Sequence, residues 1–168
     1  MKLREYRTED AEKIVSWIRT EEELYRWSAD IYGKFPLPAS DMDDNYRNAM
    51  RSGKFIPLTA IDDNGTPVGH FIIRYPDPDN TDSVRFGFIV VDPDIRGKGY
   101  GRQMILLGFE YVKENLGAKR IDLGVFDNNP RARRCYESVG FKPYGGHDVP
   151  TPFGSWHVSD LEIFTDVS

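Results

Sequence analysis

Arg96, Gly97, Lys98, Gly99, Tyr100 and Gly101 put three glycines and two cations into six consecutive residues. The chemistry such a stretch serves is anion binding. It follows an apolar run, Phe86 to Val91, and precedes Ile105, Gly108, Phe109, Val112 and Leu116, which recur at helical spacing. The first N–H groups of a helix lack internal partners and carry the positive end of its dipole, so a phosphate binds there when no side chain blocks the approach. Glycine removes that block. A loop of Gly and Lys between a strand and a helix is also a common tight turn, and spacing has to decide between the two.

A nucleoside-triphosphate loop needs Gly-Lys followed by Ser or Thr, but Gly33-Lys34, Gly53-Lys54 and Gly97-Lys98 precede Phe35, Phe55 and Gly99. A dinucleotide fingerprint needs a third glycine three residues after the second, where this chain has Arg102 or Met104. What stands is Arg-x-x-Gly-x-Gly, formed by Arg96, Gly99 and Gly101. Downstream, Ile121, Leu123 and Val125 alternate as a strand, and Asn129-Pro130 opens a helix that ends at Gly140-Phe141. Asn129, Ala132, Tyr136, Gly140 and Phe141 then follow Asn-x-x-Ala-x-x-x-Tyr-x-x-x-Gly-Phe. In this order the two segments resemble the signature segments of the GNAT superfamily of N-acetyltransferases. The likeness is close from about Ser83 to Phe141 and elsewhere extends only to the order of elements.

The resemblance implies acetyl-coenzyme A as acyl donor and a primary amine as acceptor, joined by direct attack in a ternary complex without a covalent enzyme intermediate. It implies that backbone N–H groups from Arg96 to Arg102 hold the pyrophosphate, with Lys98 or Arg102 adding charge-assisted bonds. The pantetheine arm is expected to pair with the strand ending in Val91, at Ile89 and Val91, as an added strand would. Asn129 matches the residue that bonds this arm, although Asn before Pro at a helix start is also an ordinary N-cap. Tyr136 matches a tyrosine placed beside the coenzyme sulfur as general acid, and its alternative is a core position. Many relatives carry a glutamate base two residues ahead of a glycine on the strand before the loop; here that glycine is Gly87 and the position holds Arg85, which cannot be a base. A water chain, His157, Asp82 or a loop carboxylate is left for that role, and Arg85 itself is a candidate partner for an acidic acceptor. A coenzyme A-binding module without turnover is the competing reading.

With 168 residues, 39% of them hydrophobic and 29% charged, the chain has the size and composition of one soluble domain, expected to span 1–168. It has no N-terminal apolar run and no stretch of eighteen apolar residues, so neither a signal peptide nor a membrane span is expected. Cys135 is the only cysteine, which fits a reducing, cytoplasmic setting, and its helical stripe with Ala132, Tyr136 and Val139 reads as core. His70, His147 and His157 are scattered, so no metal site is expected. The net charge of −5 argues against nucleic acid as a partner, yet Arg96, Lys98, Arg102, Arg131, Arg133 and Arg134 crowd the two motif segments. A homodimer is left open. Tyr25, Trp27, Tyr32, Phe35 and Trp156 are candidates for an aromatic channel to an amine, against a simpler role in packing.

Positioning these residues takes a mixed α/β chain of α+β type. Leu3–Arg7 reads as a first strand, with Thr8 capping a helix through Ile18. Thr20-x-x-Glu23 is a capping box for a second helix ended by Pro36 and Pro38, and Ser40–Asp41 opens a third through Met50. Phe55–Ile61 and Val68–Tyr75 read as a hairpin around Asp62–Gly65, and Trp156–Phe164 as a last strand after a Gly- and Pro-rich loop. With the resemblance, the expectation is a mostly antiparallel, splayed mixed sheet of about six to seven strands flanked by about four helices.

Overall fold

The computed structural model describes residues 1–166. Among them seven strands form one sheet in the order β1-β2-β3-β4-β5-β7-β6. They are β1 (Lys2–Glu5), β2 (Phe55–Ile61), β3 (Pro67–Arg74), β4 (Ser83–Val91), β5 (Arg120–Phe126), β6 (Lys142–Thr151) and β7 (Gly154–Phe164). Helices α1 (Asp10–Ser16), α2 (Glu21–Ser28) and α3 (Ala39–Met50) pack on one face around Ile14, Trp17, Met42 and Tyr46. Helices α4 (Tyr100–Tyr111) and α5 (Pro130–Val139) belong to the other face, around Phe71, Phe86, Ile105 and Leu123. Five α-helices thus stand where about four were expected.

All neighbouring strands run antiparallel except β4 and β5. That parallel pairing joins only Ser83–Arg85 to Arg120–Asp122. Farther on, β4 stays on β3 up to Val91 opposite Gly69, while β5 stays on β7 up to Phe126 opposite Val158. The sheet therefore splays after Arg85, and the β4 edge facing β5 is freed from strand pairing beyond that point.

A bulge in β4 re-aims the strand at this opening. His70 pairs with Val90 and Ile72 with Gly87, so Phe88 and Ile89 together oppose the single residue Phe71. Phe88 has φ 49°, an uncommon conformation for a side chain of its size. Before the bulge Val84 and Phe86 face the α4 layer; after it Ile89 and Val91 do so, and Phe88 and Val90 turn to the α1–α3 layer. The Phe88 ring lies 5.2 Å from Trp27, 5.9 Å from Tyr46, 6.2 Å from Tyr32 and 6.4 Å from Phe55, centroid to centroid. These rings hold the bulge.

Glycine sets how closely α4 approaches the sheet. A Cβ at Gly108 would stand 2.8 Å from the Phe71 ring and 3.1 Å from that of Phe86, so only hydrogen fits. The helix stripe read from the sequence is real at Ile105, Gly108 and Val112, which are buried.

Three local expectations need correction. Thr8 does not cap α1: Asp10, buried at the helix start, takes the Arg7 N–H at 2.9 Å, the Arg4 guanidinium at 2.8 Å and the Thr59 hydroxyl at 2.8 Å. Helix α2 ends at Ser28, well before Pro36, because Ala29 adopts φ 52°. The Gly- and Pro-rich loop before the last strand is strand β6, paired only with β7. Pro143 and Pro150 are tolerated there because an edge strand leaves one side of its backbone without a partner strand. The Thr20 capping box forms as read, with Glu23 N donating to Thr20 Oγ1 at 3.0 Å, although the Glu23 carboxylate accepts from Arg19 N, one residue before the cap, at 2.7 Å.

Candidate active site

After β4 a short 3-10 turn, Pro93–Ile95, leads into the glycine-rich loop. Gly97 and Gly99 take φ 85° and 79°, left-handed conformations that turn the backbone sharply before α4 begins at Tyr100. Gly99 occupies the N-cap and offers no side chain to the first N–H groups of α4, which are left to point outward. Gly101 sits against α5 and β4: a Cβ there would lie 3.6 Å from Cys135 Sγ and 3.7 Å from Val91. The loop, the freed end of β4 and α5 thus meet at one place.

Cations crowd this corner. Burial lowers the pKa of the Arg96 guanidinium; Glu23 opposes that shift, and Arg131 and Arg19 reinforce it. Arginines that push one another toward deprotonation, and cannot deprotonate at neutral pH, are stabilised by an anion placed among them. Arg131 reaches from α5 to within 3.6 Å of where a Gly97 Cβ would stand. Arg19 also binds Asp94 at 2.9 Å, tying the segment before α2 to the turn before the loop.

A cavity of about 610 Å³ opens from this cradle along β4. Ile89, Val91, Arg96, Gly97, Gly99, Tyr100, Gly101, Arg102, Asn129 and Tyr136 all line it. Lys98 is exposed in the same turn and does not. The fit to a phosphate-bearing cofactor with an extended arm is physical: a helix start with uncapped N–H groups, excess positive charge, and a strand edge freed from pairing, all in one cleft.

Tyr136 is buried on α5, and its ring lies 6.4 Å from that of Phe141. Burial raises the pKa of its hydroxyl well above the ordinary tyrosine value, so the group carries its proton at neutral pH and beyond. Asn129 N-caps α5, its Oδ1 accepting from Ala132 N at 3.4 Å. That bond leaves the amide N–H₂ available toward the cavity. Cys135 departs from its expected core role: it is half-buried and forms part of the cavity wall. Burial pushes its thiol pKa up, and Arg102 pulls it back.

Arg85 lies at the base of the splay, opposite Asp122 in the parallel register. Its Nη1 donates to Asp122 at 2.9 Å and its Nη2 to Asp160 at 3.3 Å, so the fork is already engaged within the protein. Tyr144 donates to the same Asp122 oxygen at 2.5 Å, and Arg120 stands 3.7 Å from it. Neither base candidate named from sequence lines the cavity. Asp82 precedes β4 at the strand's closed end and lies 3.9 Å from Lys119, while His157 pairs with Asp148 at 2.8 Å on the β6–β7 hairpin. The one carboxylate among the described lining residues is Glu23, on the side of Arg96.

The aromatic residues expected to form one channel divide into two groups. Trp27 and Tyr32 pack with Phe88 inside the α1–α3 layer, whereas Tyr25 and Trp156 join Phe126 and Phe153 at the open end of β5. Phe35 is exposed in the loop after α2. Sequence reasoning also passed over Arg131, Arg134, Glu23, Arg26 and Trp17 as cavity residues, whereas Trp27, a channel candidate, does line the cavity. The crowding of arginine around the motifs was the available signal for the first two; α2 carries no motif that marks its cavity face.

The family described as the acetyltransferase (GNAT) family matches residues 21–141. A mycothiol acetyltransferase of Propionibacterium freudenreichii subsp. shermanii is 37% identical over 101 residues, 58% of this chain and 32% of its own length. A probable spermine N(1)-acetyltransferase of Bacillus subtilis subsp. natto is 36% identical over 58 residues, 34% of this chain and 38% of its own. The chain thus spans about a third of these two relatives' lengths. Among solved structures, spermidine N-acetyltransferase from Vibrio cholerae, in complex with CoA and spermine, superposes with a TM-score of 0.80 at 20% identity, covering 99% of this chain and 96% of that one. A putative phosphinothricin N-acetyltransferase gives 0.78 at 20% identity, with 98% of both chains covered.

Proposed function

Because this chain belongs to the acetyltransferase (GNAT) family, we propose that it transfers the acetyl group of acetyl-coenzyme A directly to a primary amine in a ternary complex. The observation that carries the reading is the splay after Arg85, which brings a free β4 edge, the uncapped start of α4 and buried Tyr136 into a single cleft. The name of one relative over part of the chain, a probable spermine N(1)-acetyltransferase, supports an amine acceptor, proposed to be carried by a small molecule or a peptide. The single cysteine supports a cytoplasmic setting, and residues 1–168 are proposed to act as one domain.

Acetyl-coenzyme A supplies an already activated thioester on a long, phosphate-bearing handle. The Gly97–Arg102 backbone, with Arg96 and Arg131, would hold the pyrophosphate. The β4 edge at Ile89 and Val91 would pair with the pantetheine amides, and the free N–H₂ of Asn129 would meet an arm carbonyl. Tyr136, whose hydroxyl is protonated at neutral pH, would donate its proton to the departing sulfur. The amine has to be neutral when it attacks, and alignment against the thioester is the main catalytic contribution.

Thiol release from acetyl-CoA with a panel of primary amines tests the reading, and thermal stabilisation by acetyl-CoA tests donor binding separately. Release above the amine-free rate is the expected result. Stabilisation without release for any amine would favour a second reading, a coenzyme A-binding module without turnover. Arg85, locked between Asp122 and Asp160 where relatives often have an acid, is the observation on that side.

A further inference from the structure

Tyr25 on α2, Phe126 at the end of β5, Phe153 in the β6–β7 turn and Trp156 on β7 form a ring cluster across the open end of the splay. Trp156 lies 5.2 Å from Phe126, 5.5 Å from Tyr25 and 5.7 Å from Phe153, the last pair stacked at 16°. The cluster is not sealed as core is: Phe153 is 42% exposed. It also continues into the cavity, because Arg26 lines the cavity and places its guanidinium 5.9 Å from the Trp156 ring centroid. A protein cation already occupies the position that an ammonium group would take over that ring.

The carboxylates on the adjoining sheet face are each met by arginine. Asp122 and Asp160 bind Arg85 at 2.9 and 3.3 Å, and Glu162 binds Arg120 at 2.7 Å. A chain of several ammonium groups would therefore find Arg26, 3.9 Å from Glu22, at the mouth and arginine-bound acids on the sheet face beyond it, with Glu23 on the Arg96 side as the one carboxylate among the described lining residues. Its second and third charges would lose hydration without gaining partners. An aromatic body, by contrast, covers the exposed Phe153–Trp156 stack and gains edge or stacked ring contacts.

We propose that this cluster is the acceptor subsite and that it selects a monoamine with an aromatic or bulky apolar body over a polyamine. The proposal rests on the acetyl-transfer reading and adds the acceptor class. With 2-phenylethylamine and spermidine as probes, kcat/KM measured by thiol release is expected to favour 2-phenylethylamine by about ten-fold or more, the scale of one well-made apolar contact set. Trp156→Ala, and the less buried Phe153→Ala should the first fail to fold, are expected to remove that preference while acetyl-CoA affinity by calorimetry is unchanged. Arg26→Glu is expected to raise kcat/KM for spermidine. Binding is read independently by quenching of tryptophan fluorescence with 2-phenylethylamine in the presence of coenzyme A, which Trp156→Ala should reduce. Equal or better turnover of spermidine, or a preference that survives both ring variants, overturns the acceptor class. Quenching without thiol release from any amine overturns acetyl transfer and leaves the subsite standing; no quenching with release intact overturns the subsite alone.

Discussion

The guanidinium of Arg85 lies over Gly124, where a Cβ would stand only 2.7 Å from Nη2, and from there it reaches Asp160. Arg85 depends on the missing side chain at 124 as much as on its two aspartates.

Gly124→Ala is therefore expected to displace Arg85 and loosen both aspartates, lowering stability by about 1–3 kcal/mol, since Asp122 is buried and keeps only Tyr144 and the more distant Arg120 as partners. Denaturant unfolding measures it. In an Arg85→Met background the same change should cost much less, and a double-mutant cycle with no coupling would refute the arrangement.

Tyr136→Phe removes the one hydroxyl assigned to the leaving sulfur. A fall in kcat of about 10²-fold, with acetyl-CoA affinity within two-fold or so, is expected from the loss of a general acid. Burial holds the wild-type hydroxyl protonated past its ordinary pKa. No alkaline loss of activity from this group is expected between pH 7 and 10, and a limb that vanished in the variant would contradict the burial argument.

Arg96→Ala and Arg131→Ala are expected to weaken acetyl-CoA binding by about ten-fold each, the worth of a charge-assisted bond. A truncated donor, the S-acetyl thioester of N-acetylcysteamine, lacks the phosphates and should be turned over equally by wild type and variants. Equal losses with both donors would move these arginines away from the phosphates.

Phe88→Ala would remove the ring that holds the bulge. A stability loss of about 2–4 kcal/mol is expected from an emptied aromatic site, together with a raised KM for acetyl-CoA because Ile89 and Val91 lose their aim. Phe88→Gly suits the φ of 49° but lacks the ring, so it should recover only part of the loss.

Two acid-linked losses of stability should separate by pH. His70 is fully buried 2.7 Å from the Tyr46 hydroxyl, and desolvation pushes its pKa down to about 3. Held neutral when folded, it favours the unfolded state below the ordinary histidine range. Stability should thus fall as pH drops from about 6.5 toward 3, by up to about 1.4 kcal/mol per pH unit, and His70→Gln should flatten that slope. Burial raises the Asp10 pKa, but bonds from Arg4, the Arg7 N–H and Thr59 more than offset it, so the net shift is downward. Its stabilisation is present above the carboxylate range and is lost only at lower pH, a window that Asp10→Asn should remove.

The donor side of the site was legible in the sequence because it depends on backbone. Gly97 and Gly99 have to be glycine for their φ, and Asn129 has to cap α5, so residue type and spacing record the geometry directly. The acceptor side was less so. Tyr25 meets Trp156 only because α2 and the β6–β7 hairpin face each other across the splay, a relation between segments 125 or more residues apart in sequence, as the Tyr25 bond to Pro150 O illustrates. The engagement of Arg85 escaped for the same reason: Asp122 and Asp160 come from strands whose register only the fold determines. Strand β6 was hidden by its own composition, since glycine and proline mark loops except at an edge.

Phe88 adds one residue to β4 against a single residue of β3. Inside and outside are thereby exchanged for the last stretch of the strand, and the reading parity of Ile89 to Val91 depends on that extra residue being present. Substitutions at these positions change one side chain at a time. Deleting a single codon here would instead exchange the side chains that face the α4 layer with those that face the α1–α3 layer for every residue up to the loop, so in this part of the chain length is under tighter constraint than identity.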